Sequence, residues 1–163
     1  MSRALIRARS AVAIGVIAVA LTGCAIPAAP PNEPTPTAVV ADVFSIATRD
    51  CFNAPIDDGK TSTVAVIDCT AAHDFEAYQS VILPEGDFSG DVETEASAEE
   101  KCIAAFEAFV GVPYAESELL VNYFYPSEET WADGDREVVC VVQDANADGS
   151  ARQATGTLAD AAR

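Results

Sequence analysis

The chain has little positive charge. Its 163 residues include 9 Lys+Arg against 26 Asp+Glu, a formal net charge of −17. Arg3, Arg7 and Arg9 sit together in an acid-free stretch at the start. Without the first 23 residues, six basic residues face 26 acidic ones, a net charge of −20. A surface that negative repels phosphate and anionic headgroups, which argues against nucleic acid as a ligand of the folded part. Histidine is equally scarce. His73 is the only one, so a two-histidine metal site is excluded. There is no G-x-S-x-G nucleophile motif and no C-x-x-C pair. No uncharged apolar run reaches the roughly 20 residues that span a bilayer. Global disorder is argued against too, because half of the residues are hydrophobic.

The longest apolar run has a different use. Arg3, Arg7 and Arg9 form a positive n-region, and residues 11–21 form an uncharged h-region that Pro27 closes soon afterwards. Leu21-Thr22-Gly23-Cys24 then matches the bacterial lipobox. Small neighbours admit the peptidase to the Gly23–Cys24 bond, and the Cys24 thiol takes a diacylglycerol thioether. Its freed amine can then take an N-acyl chain. The expectation is a lipoprotein held by Cys24 at the extracytoplasmic face of the cell membrane. Residues 25–38 carry Pro27, Pro30, Pro31, Pro34 and Pro36 and no aromatic. Such a stretch reads as a polyproline II spacer rising about 3.1 Å per residue. The expected organisation is a signal peptide over 1–23, lipidated cysteine and spacer over 24–38, a domain over 39–158 and a tail over 159–163.

Within the domain, residues 63–68 are β-branched and short, preceded by a turn at Asp57-Asp58-Gly59. Residues 74–83 alternate and then turn wholly apolar before Pro84, giving a second strand. Residues 117–125 read as a third strand. Residues 136–143, entered through the Asp133-Gly134 turn, read as a fourth whose apolar run suggests a central place. Residues 85–95 read as a polar loop. Ser97 with Glu100 has the capping-box spacing, and Cys102, Ile103, Phe106, Phe109 and Val110 then share a helical face that Gly111 ends. The expected fold is α+β: a small antiparallel sheet of four to five strands, one main helix on one face, and disulfides.

Assigning Cys24 to lipid leaves Cys51, Cys69, Cys102 and Cys140, an even number in an exported chain. Spacings of 18, 33 and 38 are too open for a four-thiolate zinc site. Three pairings are open. Joining the buried helix face to the apolar strand favours Cys102–Cys140, which leaves Cys51–Cys69.

Three groups of residues carry candidate chemistry. His73, with Asp74 and Glu76 close in sequence, could act as a base, ligand or pH sensor, or could simply cap a turn between strands. With no nucleophile in view, the turn is the preferred reading. Asp144, Asn146 and Asp148 match the first half of a calcium loop, D-x-N-x-D-G. The twelfth position, where such a loop needs a bidentate Glu, is Thr155, so a hairpin turn is preferred and no metal is expected. Trp131 and Arg136 flank a turn and suit a partner surface. The bland reading places Trp131 at a core edge, with Arg136 paired to Asp133 or Asp135.

The ordered set Asp50-Cys51-Phe52, Cys69 with His73 and Glu76, Cys102 with Phe109-Val110-Gly111, then Tyr125-Pro126-Ser127, Trp131, Gly134-Asp135-Arg136 and Cys140 resembles the actinobacterial septum-formation domain family. The chain departs from that pattern at Arg49, where the family has Gly, and at Ala72, where it has Pro. The resemblance implies an extracytoplasmic, often membrane-tethered domain without an established enzymatic activity, and its name points to cell division. The first-ranked expectation is a non-enzymatic binding or scaffolding module, attached to the membrane by its lipid and engaging an unidentified envelope protein or cell-wall component. The alternatives are an envelope enzyme acting on peptidoglycan or a lipid-linked precursor through Glu76 and His73, and a divalent-ion sensor using the Asp144 loop.

Overall fold

The structure, a computed structural model, describes residues 37–54 and 61–163. The signal segment, Cys24, most of the Pro-rich spacer and the Asp57-Asp58-Gly59 turn lie outside the described residues. Among the described residues no helix is long and apolar enough to cross a membrane.

The architecture is α+β. Among the described residues seven strands, β1 (Val39–Asp42), β2 (Cys51–Asn53), β3 (Thr63–Ile67), β4 (Phe75–Ile82), β5 (Leu120–Phe124), β6 (Glu137–Ala145) and β7 (Ala151–Arg152), form one antiparallel sheet. Its order is β1-β3-β2-β4-β6-β5, and β7 pairs with the far end of β6. The sheet therefore exceeds the four or five strands expected. β1, β2 and β7 hold two to four residues each, too few to display a period of two.

β6 is the axis of the fold. Val138, Cys140 and Val142 face the helix side, while Val139 and Val141 enter a second cluster with Phe52, Phe75 and Ala77. Burial on both faces explains its unbroken apolar run. In β4 the register against β6 shifts between Ala77 and Gln79, a bulge at Tyr78. It lets Phe75 and Ala77 enter the second cluster while Tyr78 and Val81 pack under the helix.

The long helix α1 (Asp91–Val110) starts six residues before Ser97, so the expected capping box is not formed. Ser97 is a helix-interior residue whose hydroxyl donates to the Glu93 carbonyl at 2.8 Å. Gly90, at φ 107°, sets the entry instead, and Asp91 and Glu93 place negative charge at the positive end of the helix dipole. The last five residues of the expected 85–95 loop are thus helical. At the other end Gly111 adopts φ 94°, a left-handed cap whose N–H donates to the Glu107 carbonyl. Ala98, Cys102, Phe106 and Phe109 form the buried face. A second, short helix α2 (Glu128–Ala132) has Ser127 and Thr130 as a reciprocal capping box. It precedes the expected Asp133-Gly134 turn, in a stretch where no element was expected.

The cysteines pair as Cys51–Cys69 and Cys102–Cys140. The second pair bolts the buried face of α1 to β6. The first joins β2 to the turn after β3. Each closure removes unfolded-state freedom worth about 2–4 kcal/mol. Residues 159–163, expected as a tail beyond the domain, are docked onto it. Asp160 N–H donates to the Phe109 carbonyl and Ala162 N–H to the Val110 carbonyl, each at 2.8 Å.

Candidate functional site

His73 and Glu76 come together in one seam, and that seam is closed. Both side chains have no exposed surface. His73 begins the entry to β4, and its backbone exchanges two hydrogen bonds with Ala154, N–H to O at 3.0 Å and O to N–H at 2.9 Å. Its ring Nδ1 lies 2.9 Å from the Ala71 carbonyl, which can only accept, so Nδ1 donates there. The other ring nitrogen, Nε2, has no hydrogen-bond partner among the described residues. Glu76 is directly opposite Cys51 in the β2–β4 ladder. Its Oε1 accepts from the Thr157 hydroxyl and its Oε2 from the Leu158 N–H, both at 2.6 Å. Gly156 N–H donates to the Cys69 carbonyl beside them. His73 as a turn residue agrees with these contacts. His73 and Glu76 as an accessible partner or reaction surface does not, because the chain from Ala154 to Leu158 covers both.

Trp131 and Arg136 form the second candidate. α2 places Trp131 so that its indole N–H donates to the Gly86 carbonyl at 2.9 Å, with Phe88 packed beside the ring. The Arg136 guanidinium lies 3.8 Å from the ring centroid, a cation–π contact. It does not pair with the carboxylates of Asp133 or Asp135. Instead its Nη1 donates to the carbonyls of Trp131 and Asp135, and Nε stands 3.4 Å from the Glu85 carboxylate. Asp135 is drawn away because its Oδ1 accepts from the Glu137 N–H. Beside Trp131 runs a cleft of about 240 Å³, lined by Leu83, Gly86, Ser89, Thr94 and Ser97. A second cleft of about 290 Å³ lies between Asp74, Gln143 and Arg152. Both fall below the roughly 300–1,000 Å³ typical of small-molecule sites.

The family model described as septum formation matches residues 48–163, from the strand that carries Cys51 through the docked terminal segment. The chain belongs to the septum formation family. No curated protein and no solved structure matches it. Within this septum-formation domain, the Arg49 position acquires a physical meaning. Arg49 has φ 78°, the left-handed region that glycine enters without steric cost. This chain meets that backbone requirement with an arginine, whose Cβ is strained there.

The remaining candidate in the septum-formation domain is the Asp144 loop. Asp144 is buried at the end of β6, and its carboxylate is occupied by Arg152 Nε at 2.9 Å and Arg163 Nη1 at 2.8 Å. Burial pushes the Asp144 carboxyl up, but the hydrogen bonds from Arg163 and Arg152 and from the Ala145 N–H outweigh it and hold it below the usual carboxylate range. Asn146 and Asp148 both bond to the Ser150 hydroxyl, closing the β6–β7 hairpin. The three residues therefore serve an ion-paired strand end and a turn, not a common ligand set. Among the described residues, the one group with three metal-type ligand atoms in reach is Cys51, Cys69 and Glu76, and its two sulfurs are bonded to each other. Sequence reasoning missed Thr157, Leu158 and Arg163. The sole signal for them was negative, an acid at a buried phase of β4 and another at the end of β6, each requiring some partner.

Proposed function

We propose that this septum-formation protein is a lipid-anchored, extracytoplasmic module that acts by binding another envelope component and carries no catalytic centre of its own. The observation that supports this reading best is the enclosure of His73 and Glu76. A general acid or base must reach its substrate's proton to within hydrogen-bond distance. These two side chains have no exposed surface and are bonded to the backbone and to Thr157. The anchor rests on the lipobox at residues 21–24, and the Pro-rich stretch that follows gives a reach of some tens of Å from the lipid. The folded part, with its strong negative charge, would stand off from anionic headgroups rather than lie on them.

Metabolic labelling with a fatty-acid analogue, combined with imaging of the tagged protein in dividing cells, tests the proposal. The native chain should take label and collect at septa, and Cys24→Ala should lose the label and the membrane fraction. Label persisting on Cys24→Ala, or a native protein that never concentrates at septa, contradicts it.

A further inference from the structure

β5 ends the sheet. In the strand order its only neighbour is β6, and among the described residues no backbone group of Leu120–Phe124 finds a partner outside that pairing. An open edge presents a row of N–H and C=O groups that a further strand can satisfy. Side chains make this edge unlike the one at β1. Tyr123 and the residue just beyond the strand, Tyr125, lie two positions apart and so share a face, with ring centroids 6.0 Å apart at 54°. Both are half-buried against the helix-side core, leaving part of each ring open. Along α1, Asp91, Glu95 and Glu99 recur every four residues and are exposed. α1 packs against β5, with Glu95 and Glu99 close enough to act on Tyr123, and Asp91 and Glu95 on Tyr125, so the acid row lies alongside the two rings. Burial first, and then these carboxylates, push both phenols up, and Glu95 also takes a hydrogen bond from the Tyr123 hydroxyl. None of the three acids forms an ion pair among the described residues.

The spacing selects the occupant. Four residues of helix advance about 6 Å, and two residues of strand advance about 6.8 Å. A strand added to β5 with a cationic side chain at every second position would set those cations on the helix face, one per carboxylate. There they would also meet the tyrosine rings, within cation–π reach of about 6 Å. A second copy of this chain fits poorly, because it would bring the same acid row and a net charge of −17. At the β1 edge, Val39 and Val40 are exposed, and among the described residues no such acid row accompanies them.

We propose that the β5 edge, with Tyr123, Tyr125 and the Asp91, Glu95 and Glu99 row, is a docking site for an extended segment of a partner protein carrying Lys or Arg at alternate positions. The segment adds as a strand. Backbone bonds supply much of the affinity, while charge supplies register and partner choice. This rests on the binding-module reading above and names the surface and the partner chemistry.

The test uses the full-length chain and a fluorescent ten-residue peptide alternating Lys and Val. Two control peptides carry Glu in place of Lys, or N-methyl groups on every backbone nitrogen. The Lys/Val peptide should bind, more weakly as salt rises. The Glu peptide and the N-methylated peptide should each bind at least about ten-fold more weakly. Glu95→Gln/Glu99→Gln changes exposed groups, should keep the native melting temperature, and should weaken the Lys/Val peptide about ten-fold. Amide exchange at residues 120–124 should slow when it is bound. Absence of binding overturns the proposal, as does unchanged affinity for the N-methylated peptide or for the double variant, or protection at β1 instead of β5. If crosslinking in the native envelope then finds a partner on another surface, this docking site fails while the binding-module reading stands.

Discussion

Glu76 and Leu158 are 82 residues apart in the chain, yet the Leu158 N–H donates to the Glu76 carboxylate at 2.6 Å inside the domain. With Thr157 on its other oxygen, the buried acid is a latch for the terminal segment, not a reagent. Glu76→Leu keeps much of the volume but removes both acceptor oxygens, leaving the Leu158 N–H and the Thr157 hydroxyl without that partner. A buried donor left unsatisfied costs about 1–3 kcal/mol. Urea unfolding followed through Trp131, the only tryptophan, should show a loss of that size, with faster exchange of the Leu158 amide. A Leu variant with native stability and native exchange would show that the latch does not hold.

Asp144 makes the acid limb of stability specific. Its carboxyl is held below the usual carboxylate range by Arg163 and Arg152 in the folded protein, so its pairing with them is fully present above the unfolded value. The contribution fades as pH falls through the folded value, because the unfolded chain then binds the proton more readily. Asp144→Asn should therefore flatten the loss of stability below about pH 4 relative to the native chain. Equal slopes in the two proteins would assign the acid sensitivity elsewhere.

The major elements were legible because they are long enough to show a period. β4, β6 and the second half of α1 carry apolar residues at spacings that leave one reading, and the buried cysteine on each side of the interface pointed to Cys102–Cys140. The start of α1 was not legible. Ser97 and Glu100 imitate a cap, while the actual entry at Gly90 depends on a backbone angle. α2 spans five residues, less than two turns. The partners of Glu76 and Asp144 lie far along the chain, and nothing local in residues 153–163 announces them. The β5 edge became visible only once the sheet order placed β5 last and set α1 alongside it.

Arg49 offers a gain rather than a loss. A side chain in the left-handed region costs about 1–2 kcal/mol, and glycine avoids that cost while losing more freedom on folding, about 0.5–1 kcal/mol. Arg49→Gly should raise stability by up to about 1.5 kcal/mol, read as a higher urea midpoint with an unchanged slope. A fall in stability would mean that the arginine side chain contributes contacts outweighing its backbone strain.

The claim that this domain works by binding, with its acid–base residues serving the fold, is tested most directly by complementation with His73→Gln. Glutamine can still donate to the Ala71 carbonyl but cannot serve as a general base. The stability cost should be about 0.5–3 kcal/mol, checked on the purified variant by its melting temperature. The expected result is a folded, exported protein that restores normal septum placement and division to a deletion strain. A variant that folds, is exported and forms both disulfides, yet fails to restore division, would contradict the account.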